Sequence, residues 1–162
     1  MWERLIEALA ELLKLYQVLL TLSKQKHGIL IAAKAIDLEA VTKQEEQIIL
    51  QIGKLEIIRE NAVQEIMIAN NLAPEELTIS KLIGFADSAT ERQLIEIWHQ
   101  FDSVIAELAK MNSLNSKLLE QALLFVNFNI NILTQSTIGP TYAAKGSHEQ
   151  TSTARTVLDR KV

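Results

Sequence analysis

Apolar residues recur in alternating steps of three and four over three long stretches of the chain, the spacing of an amphipathic helix. The first stretch runs from about Trp2 to Ala35. Its central row is Trp2, Leu5, Leu9, Leu12, Tyr16 and Leu19, flanked by Ile6, Leu13 and Leu20 and by Ala8, Leu15 and Leu22. A stripe this wide expects two neighbours, so it predicts a bundle helix and not half of an isolated two-stranded coil. Asp37 is placed to cap a second helix, with Ile36 and Val41 as the apolar pair that staples such an entry. That helix runs to about Asn70 on a seam of Leu38, Val41, Ile48, Ile52, Leu55, Ala62, Ile66 and Ala69, broken by Glu45 and Arg59. Polar residues in a seam either fix register or reach along it to water, and reaching to water is the simpler expectation.

Asn70–Pro74 ends the second pattern, because proline supplies no amide to continue a helix. Residues 74–83 predict one or two short helical turns, and Gly84 with Asp87–Thr90 forms the next break, Thr90 serving as cap. The third pattern keeps its spacing from Leu94 through Ile97, Phe101, Val104, Leu108, Met111, Asn115, Leu118, Ala122, Phe125 and Asn129 to Ile132. A second row holds Trp98, Ile105, Asn112, Leu119, Val126 and Leu133. A continuous helix from Glu91 to Thr134 would be about 66 Å long at ~1.5 Å per residue, which predicts an elongated molecule with helix surface left for a partner. Asn127–Ile132 alternates polar and apolar as a strand does. No Gly or Pro separates it from the preceding row, and a lone strand would lack a partner, so helix is expected there.

The composition then narrows the class. The chain has 162 residues, 48% of them hydrophobic and 22% charged, with Gly 5, Pro 2 and Cys 0. So few turn residues argue against a β-sandwich, and the absence of cysteine excludes disulfides, thiolate metal sites and thiol nucleophiles. The expected fold is all-α: an elongated helical bundle or antiparallel coiled coil of three long helices plus a short one. Residues 1–135 form the helical domain and 136–162 a flexible recognition tail, where Thr, Ser, Gly and Ala take over. Lys145, Arg155, Arg160 and Lys161 against Glu149 and Asp159 leave that tail at +2, so the rest carries −6 within a net charge of −4. Such a balance does not suit nucleic acid. Acidic residues in the first turns argue against a signal peptide, and Gln121–Ala144 is too rich in Asn, Gln, Gly and Pro for a membrane span. The expected location is the cytoplasm.

The search for chemistry finds little. Glu96 and His99 have the Glu-x-x-His spacing of a di-iron bundle, but that site needs a second such motif, and none exists here. Phosphate loops, nucleophile elbows and dinucleotide fingerprints are absent. Glu45–Glu46 and Glu75–Glu76 are neighbours that point to different helix faces. No enzyme activity, cofactor or metal is expected.

What remains is surface. The end of the third helix holds Leu118, Leu119, Leu123, Leu124, Phe125, Val126, Phe128, Ile130, Ile132 and Leu133. Roughly half of these are expected to pack on the first two helices, and the excess to receive an amphipathic partner helix. Leu118, Leu119, Leu123, Phe125, Phe128 and Leu133 are the candidate contacts.

The run Asn115–Phe128, then Leu133-Thr134, Tyr142-Ala143-Ala144-Lys145-Gly146 and Leu158-Asp159, resembles the FlgN family, flagellar type III export chaperones for the hook–filament junction proteins. The front of the chain is similar to the family's layout, a Leu/Glu-rich helix, a break before Asp37–Val41 and a Glu/Gln-rich helix. Residues 74–90 are a departure. The resemblance implies binding of the C-terminal helical ends of hook-associated proteins, protection of those ends from self-association, and delivery to the export gate without ATP or cofactor. It implies a docking role at the gate for Tyr142 within Tyr-x-x-x-Gly, with Gly146 closing the motif. No membrane insertion is implied, and a homodimer is left open. The alternative is a coiled-coil adaptor or spacer in a larger assembly.

Overall fold

The computed structural model describes residues 1–72 and 79–136. They form α1 (Trp2–Ile31), α2 (Ala35–Ala69), α3 (Ile79–Ile83) and α4 (Ser88–Ser136), with no strand among them. The alternating stretch at 127–132 is helical. The chain divides into two units, Met1–Phe125 and Val126–Val162. The described part of the second is the end of α4, and the tail expected over 136–162 lies outside the described residues but for Ser136.

Within the first unit the helices run up, down and up. Arg4 on α1 pairs with Glu65 on α2 at 2.6 Å, and Lys26 pairs with Glu45 at 2.5 Å, so α1 and α2 are antiparallel. α4 runs parallel to α1: Tyr16 meets Phe101 edge to face at 5.7 Å, and further along Ser23 meets Asn112 at 2.9 Å. The wide stripe of α1 is the reason for this arrangement. Leu5, Ala8, Leu12, Leu13, Leu20 and Leu22 are all buried, more than one neighbour could cover. α2 contributes Val41, Ile52, Ala62, Val63, Ile66 and Met67, and α4 adds Leu94 and Leu108. Leu5, Ala62, Val63, Ile66, Met67, Leu82 and Leu94 form one cluster where α1 begins, α2 ends, α3 sits and α4 starts.

The helix ends differ from the sequence expectation in two places. α2 begins at Ala35, so Asp37 lies inside its first turn and is not the cap; Lys34 holds that position without a side-chain bond. The cause is Ala33, whose φ of 52° is left-handed. It lets the Lys34 amide donate to the Ile29 carbonyl at 3.2 Å and reverses the chain at once. Asp37 still places its charge where the helix dipole favours it. The second difference is at α4. Asp87, not Thr90, is the cap: its Oδ1 accepts from the Ala89 and Thr90 amides at 2.9 and 3.0 Å, and Thr90 Oγ1 donates to Oδ2 at 3.0 Å. α2 closes with Asn71 at φ 52°, a conformation asparagine tolerates. Pro74 and the turns expected at 74–78 lie outside the described residues.

Two outcomes follow. Ala33→Gly removes a left-handed Cβ costing about 1–2 kcal/mol, against roughly 0.5–1 kcal/mol of added unfolded-chain freedom. A higher urea midpoint is expected, and a lower one would contradict the left-handed turn. The bonds from Thr90 and Ala89 hold the Asp87 carboxyl below its ordinary value of 3.8. Its contribution is therefore complete above that value and is lost as pH falls through the depressed one. Asp87→Ala is expected to lower the melting temperature at pH 7 and to narrow the gap from wild type as the solution is acidified; a gap independent of pH would refute the cap's charge.

Candidate functional site

Three features of the described residues depart from a plain amphipathic bundle. The first is a polar layer inside the core. Ser23, Asn115 and Glu45 are all buried. Asn115 Nδ2 donates to the Ser23 carbonyl at 2.9 Å and lies 3.2 Å from the Ser23 hydroxyl. That hydroxyl donates to Asn112 Oδ1 at 2.9 Å. Because a carbonyl only accepts, the Asn115 amide has one orientation, and its Oδ1 must accept from His27 Nδ1, 3.0 Å away. Lys26 and Glu45 close the layer on the α2 side with side chains mostly out of solvent. A cavity of about 250 Å³ lies beside it, bounded by Leu19, Lys26, Glu45, Ile49, Asn112, Asn115, Ser116 and Leu119. No buried side-chain nitrogen or oxygen among the described residues lacks a partner. The layer corrects the expectation that Glu45 merely reaches to water: it is paired and turned inward.

The second feature is an apolar groove of about 330 Å³ between α1, α2, α3 and α4. Leu9, Leu12, Val63, Trp98, Phe101 and Ile105 are among its walls, with Glu56, Arg59 and Asp102 as its polar lining. Arg59 is held by Glu56 at 2.6 Å, so Arg59, the other polar break in the α2 seam, is half-buried rather than free. Burial pushes the Tyr16 phenol above its ordinary value, and the Glu56 carboxylate adds to this.

The third feature is the end of α4. In the first unit Leu118 and Leu119 are half-buried, whereas Leu123 is 62% exposed and Leu124 and Phe125 are exposed as well. In the second unit, taken by itself, Phe128 is 62% exposed, and Val126, Ile130, Ile132 and Leu133 are exposed too. The expectation that roughly half of this run is core is therefore corrected. In the first unit α1 ends at Ile31, level with about Leu119 by the Tyr16–Phe101 and His27–Asn115 pairings, so Gln121–Phe125 have no α1 to lie on. Tyr142 and Gly146 lie outside the described residues.

Glu96 and His99 are both exposed, and Glu96 accepts from Gln100 at 2.8 Å. Among the described residues no group of three potential ligands could hold a metal ion. No described helix is long and apolar enough to cross a membrane. Sequence reasoning missed the polar layer, although its signal was present: Glu45, Asn112 and Asn115 each interrupt an apolar row.

The layer predicts its own cost. Asn115→Ala removes from the layer the amide's bonds to Ser23 and to His27 and leaves a hole at a buried position, which should destabilise the protein by about 1–3 kcal/mol. Chemical denaturation measures this, and an unchanged midpoint would mean that water replaces the amide.

The comparisons with known proteins cover most of the chain. The family described as FlgN protein matches residues 1–150. A protein of Bacillus subtilis (strain 168), named "Uncharacterized protein YvyG", is 28% identical over 129 residues, covering 80% of this chain and 78% of its own. No solved structure matches.

Proposed function

The chain belongs to the FlgN family of flagellar export chaperones, and from that membership we propose that it binds the C-terminal helical ends of hook-associated proteins in the cytoplasm, keeps them from self-association and delivers them to the export gate. The family supports the chaperone role and hook-associated proteins as the class of client. The observation that carries the reading further is the exposed apolar run at the end of α4. Leu123 and Leu124 in the first unit, and Phe128 in the second, are not used by the core. A soluble bundle that leaves large apolar side chains in water marks a surface for a partner. A client end that forms helices offers an apolar face of the same kind.

Leu118, Leu119, Leu123 and Phe125 are the client contacts assigned to the first unit, and Phe128 and Leu133 those assigned to the second. Leu118 and Leu119 are half-buried and also support the fold, so Leu123 and Phe128 separate binding from stability more cleanly. Tyr142 and Gly146 take the gate-docking role that the tail motif implies. No cofactor and no reaction is required, because the work is the reversible covering of apolar surface. Affinity between micromolar and nanomolar, about −8 to −12 kcal/mol, would hold a client yet release it.

The test is calorimetry with a peptide covering the C-terminal helical segment of a hook-associated protein from the same organism. A one-to-one complex with a negative heat-capacity change is expected, the sign of apolar burial. Leu123→Ala and Phe128→Ala should each weaken it by about tenfold, the loss of one buried apolar side chain, with the melting temperature unchanged. Tyr142→Ala should leave this titration as it is. No binding by the well-folded protein would favour an adaptor or spacer that remains in a finished assembly.

A further inference from the structure

We propose that the client's helical segment continues down α4 from Leu123 into the trough between α2 and α4, where it seats a large apolar side chain, flanked by a lysine or arginine, between Trp98 and Ile105. This placement rests on the chaperone reading and adds to it the part of the first unit that the client covers.

α4 carries two apolar rows, and the core uses one. Leu94, Leu108 and Asn115 of the first row are buried, and Phe101 between them meets Tyr16. The second row is left at the rim. Trp98 is 48% exposed and Ile105 41%; Asn112 is exposed and Leu119 half-buried. The row covers about 32 Å at ~1.5 Å per residue. Residues recurring every seven positions with no helix opposite them present one half of a coiled-coil seam.

The two openings described above lie on this side. α2 lies close along α1, whereas between α2 and α4 the openings of about 330 and 250 Å³ remain. Every residue around the smaller has a counterpart around the larger fourteen positions away on the same helix: Leu19 with Leu5, Ile49 with Val63, Ser116 with Asp102, Leu119 with Ile105. Fourteen residues are two heptads, about 21 Å of helix. A partner that reaches both openings in step must share this period, and a helix with a heptad apolar stripe does.

Charge and polarity then choose among such helices. At the larger opening Glu56 is held by Arg59 at 2.6 Å. Asp102, one turn from Trp98 and one from Ile105, forms no ion pair among the described residues. Two carboxylates against one guanidinium favour a cation beside the apolar anchor and disfavour an acidic helix. At the smaller opening Lys26 and Glu45 satisfy each other, and the exposed Asn112 and Ser116 offer hydrogen bonds. A polar client side chain two heptads from the anchor fits there, and one polar position in an apolar seam fixes register. The trough is also continuous with the client contacts already assigned. Leu119 bounds the smaller opening, and Leu123, one turn further, is 62% exposed.

The test uses the full chain with Trp2→Phe, which leaves Trp98 as its one tryptophan. It is titrated with the hook-associated peptide, any tryptophan of the peptide replaced by phenylalanine, and binding is followed by calorimetry and by emission. Binding heat with a blue shift of Trp98 emission at the same midpoint is expected. Ile105→Asn and Asp102→Lys should each weaken binding by about tenfold or more, with helical circular dichroism unchanged. Binding heat without an emission change, and with Ile105→Asn as tight as wild type, overturns the trough while leaving the chaperone reading intact. Weakening by Ile105→Asn but not by Asp102→Lys overturns the flanking cation. The absence of both heat and emission change overturns the trough and the chaperone reading together. Self-association of the peptide-free chain that Ile105→Asn abolishes would assign the trough to a second copy and overturn the client as its occupant.

Discussion

The length of α1 decides how much of the first unit can be a core. Its stripe is broad enough to bury residues against both α2 and α4, and each of those helices owes its position to it. α2 lies close along α1, whereas α4 rests through long side chains such as Phe101 and leaves the apolar groove between. Coverage stops where α1 stops. The left-handed turn at Ala33 reverses the chain immediately after Ile31, so α1 does not extend beside Gln121–Phe125. Exposure of Phe125, two turns beyond the half-buried Leu118 in the same row, is then a consequence of helix lengths, whereas Leu123 and Leu124 continue the exposed rows of Ser116 and Lys117.

Inside the bundle the polar layer works against stability in the simplest accounting. Taking Lys26, Glu45, Ser23 and Asn115 out of water has a desolvation cost that their mutual bonds only offset. What such a layer supplies is register. Asn115 can satisfy both its amide and its carbonyl only when α4 is placed with Ser23 and His27 alongside. A slide of α4 by one turn along α1 would strand each of these groups. An apolar seam of leucines would tolerate such a slide, and α4 has leucines enough to make one. The layer thus fixes which part of α4 is core and which part emerges beyond it.

Much of this was legible in the sequence and some was not, for separable reasons. The three long helices and the short α3 follow from periodicity, because an apolar row over many turns has only one regular solution. The helix ends were read less well. Asp37 and Thr90 each precede a helical pattern with a side chain that can cap. Only the φ of Ala33, which no residue preference announces, moves the start of α2 ahead of Asp37. Asp87, three residues before Thr90, holds the cap of α4 instead, because either side chain can cap and only the backbone path decides which one does. The inward turn of Glu45 depends on Lys26, which lies on another helix and at a distance that no local pattern reports. The extent of bare surface on α4 depends on where α1 ends relative to α4, and that is a property of packing. The family resemblance carried the functional reading further than any of these patterns did.

The magnitudes say what kind of binding the exposed surface can support. Burying one large apolar side chain is worth about 1.5–3 kcal/mol. The exposed Leu123, Leu124 and Phe125 of the first unit would together contribute roughly 4–9 kcal/mol, before an association cost of about 4–15 kcal/mol is subtracted. The first unit's residues alone therefore hold a partner loosely. Under the chaperone reading looseness is an asset, since a client end must be surrendered at export without an energy source in the chaperone itself. The register imposed by the polar layer fixes where along α4 that surface begins in the first unit.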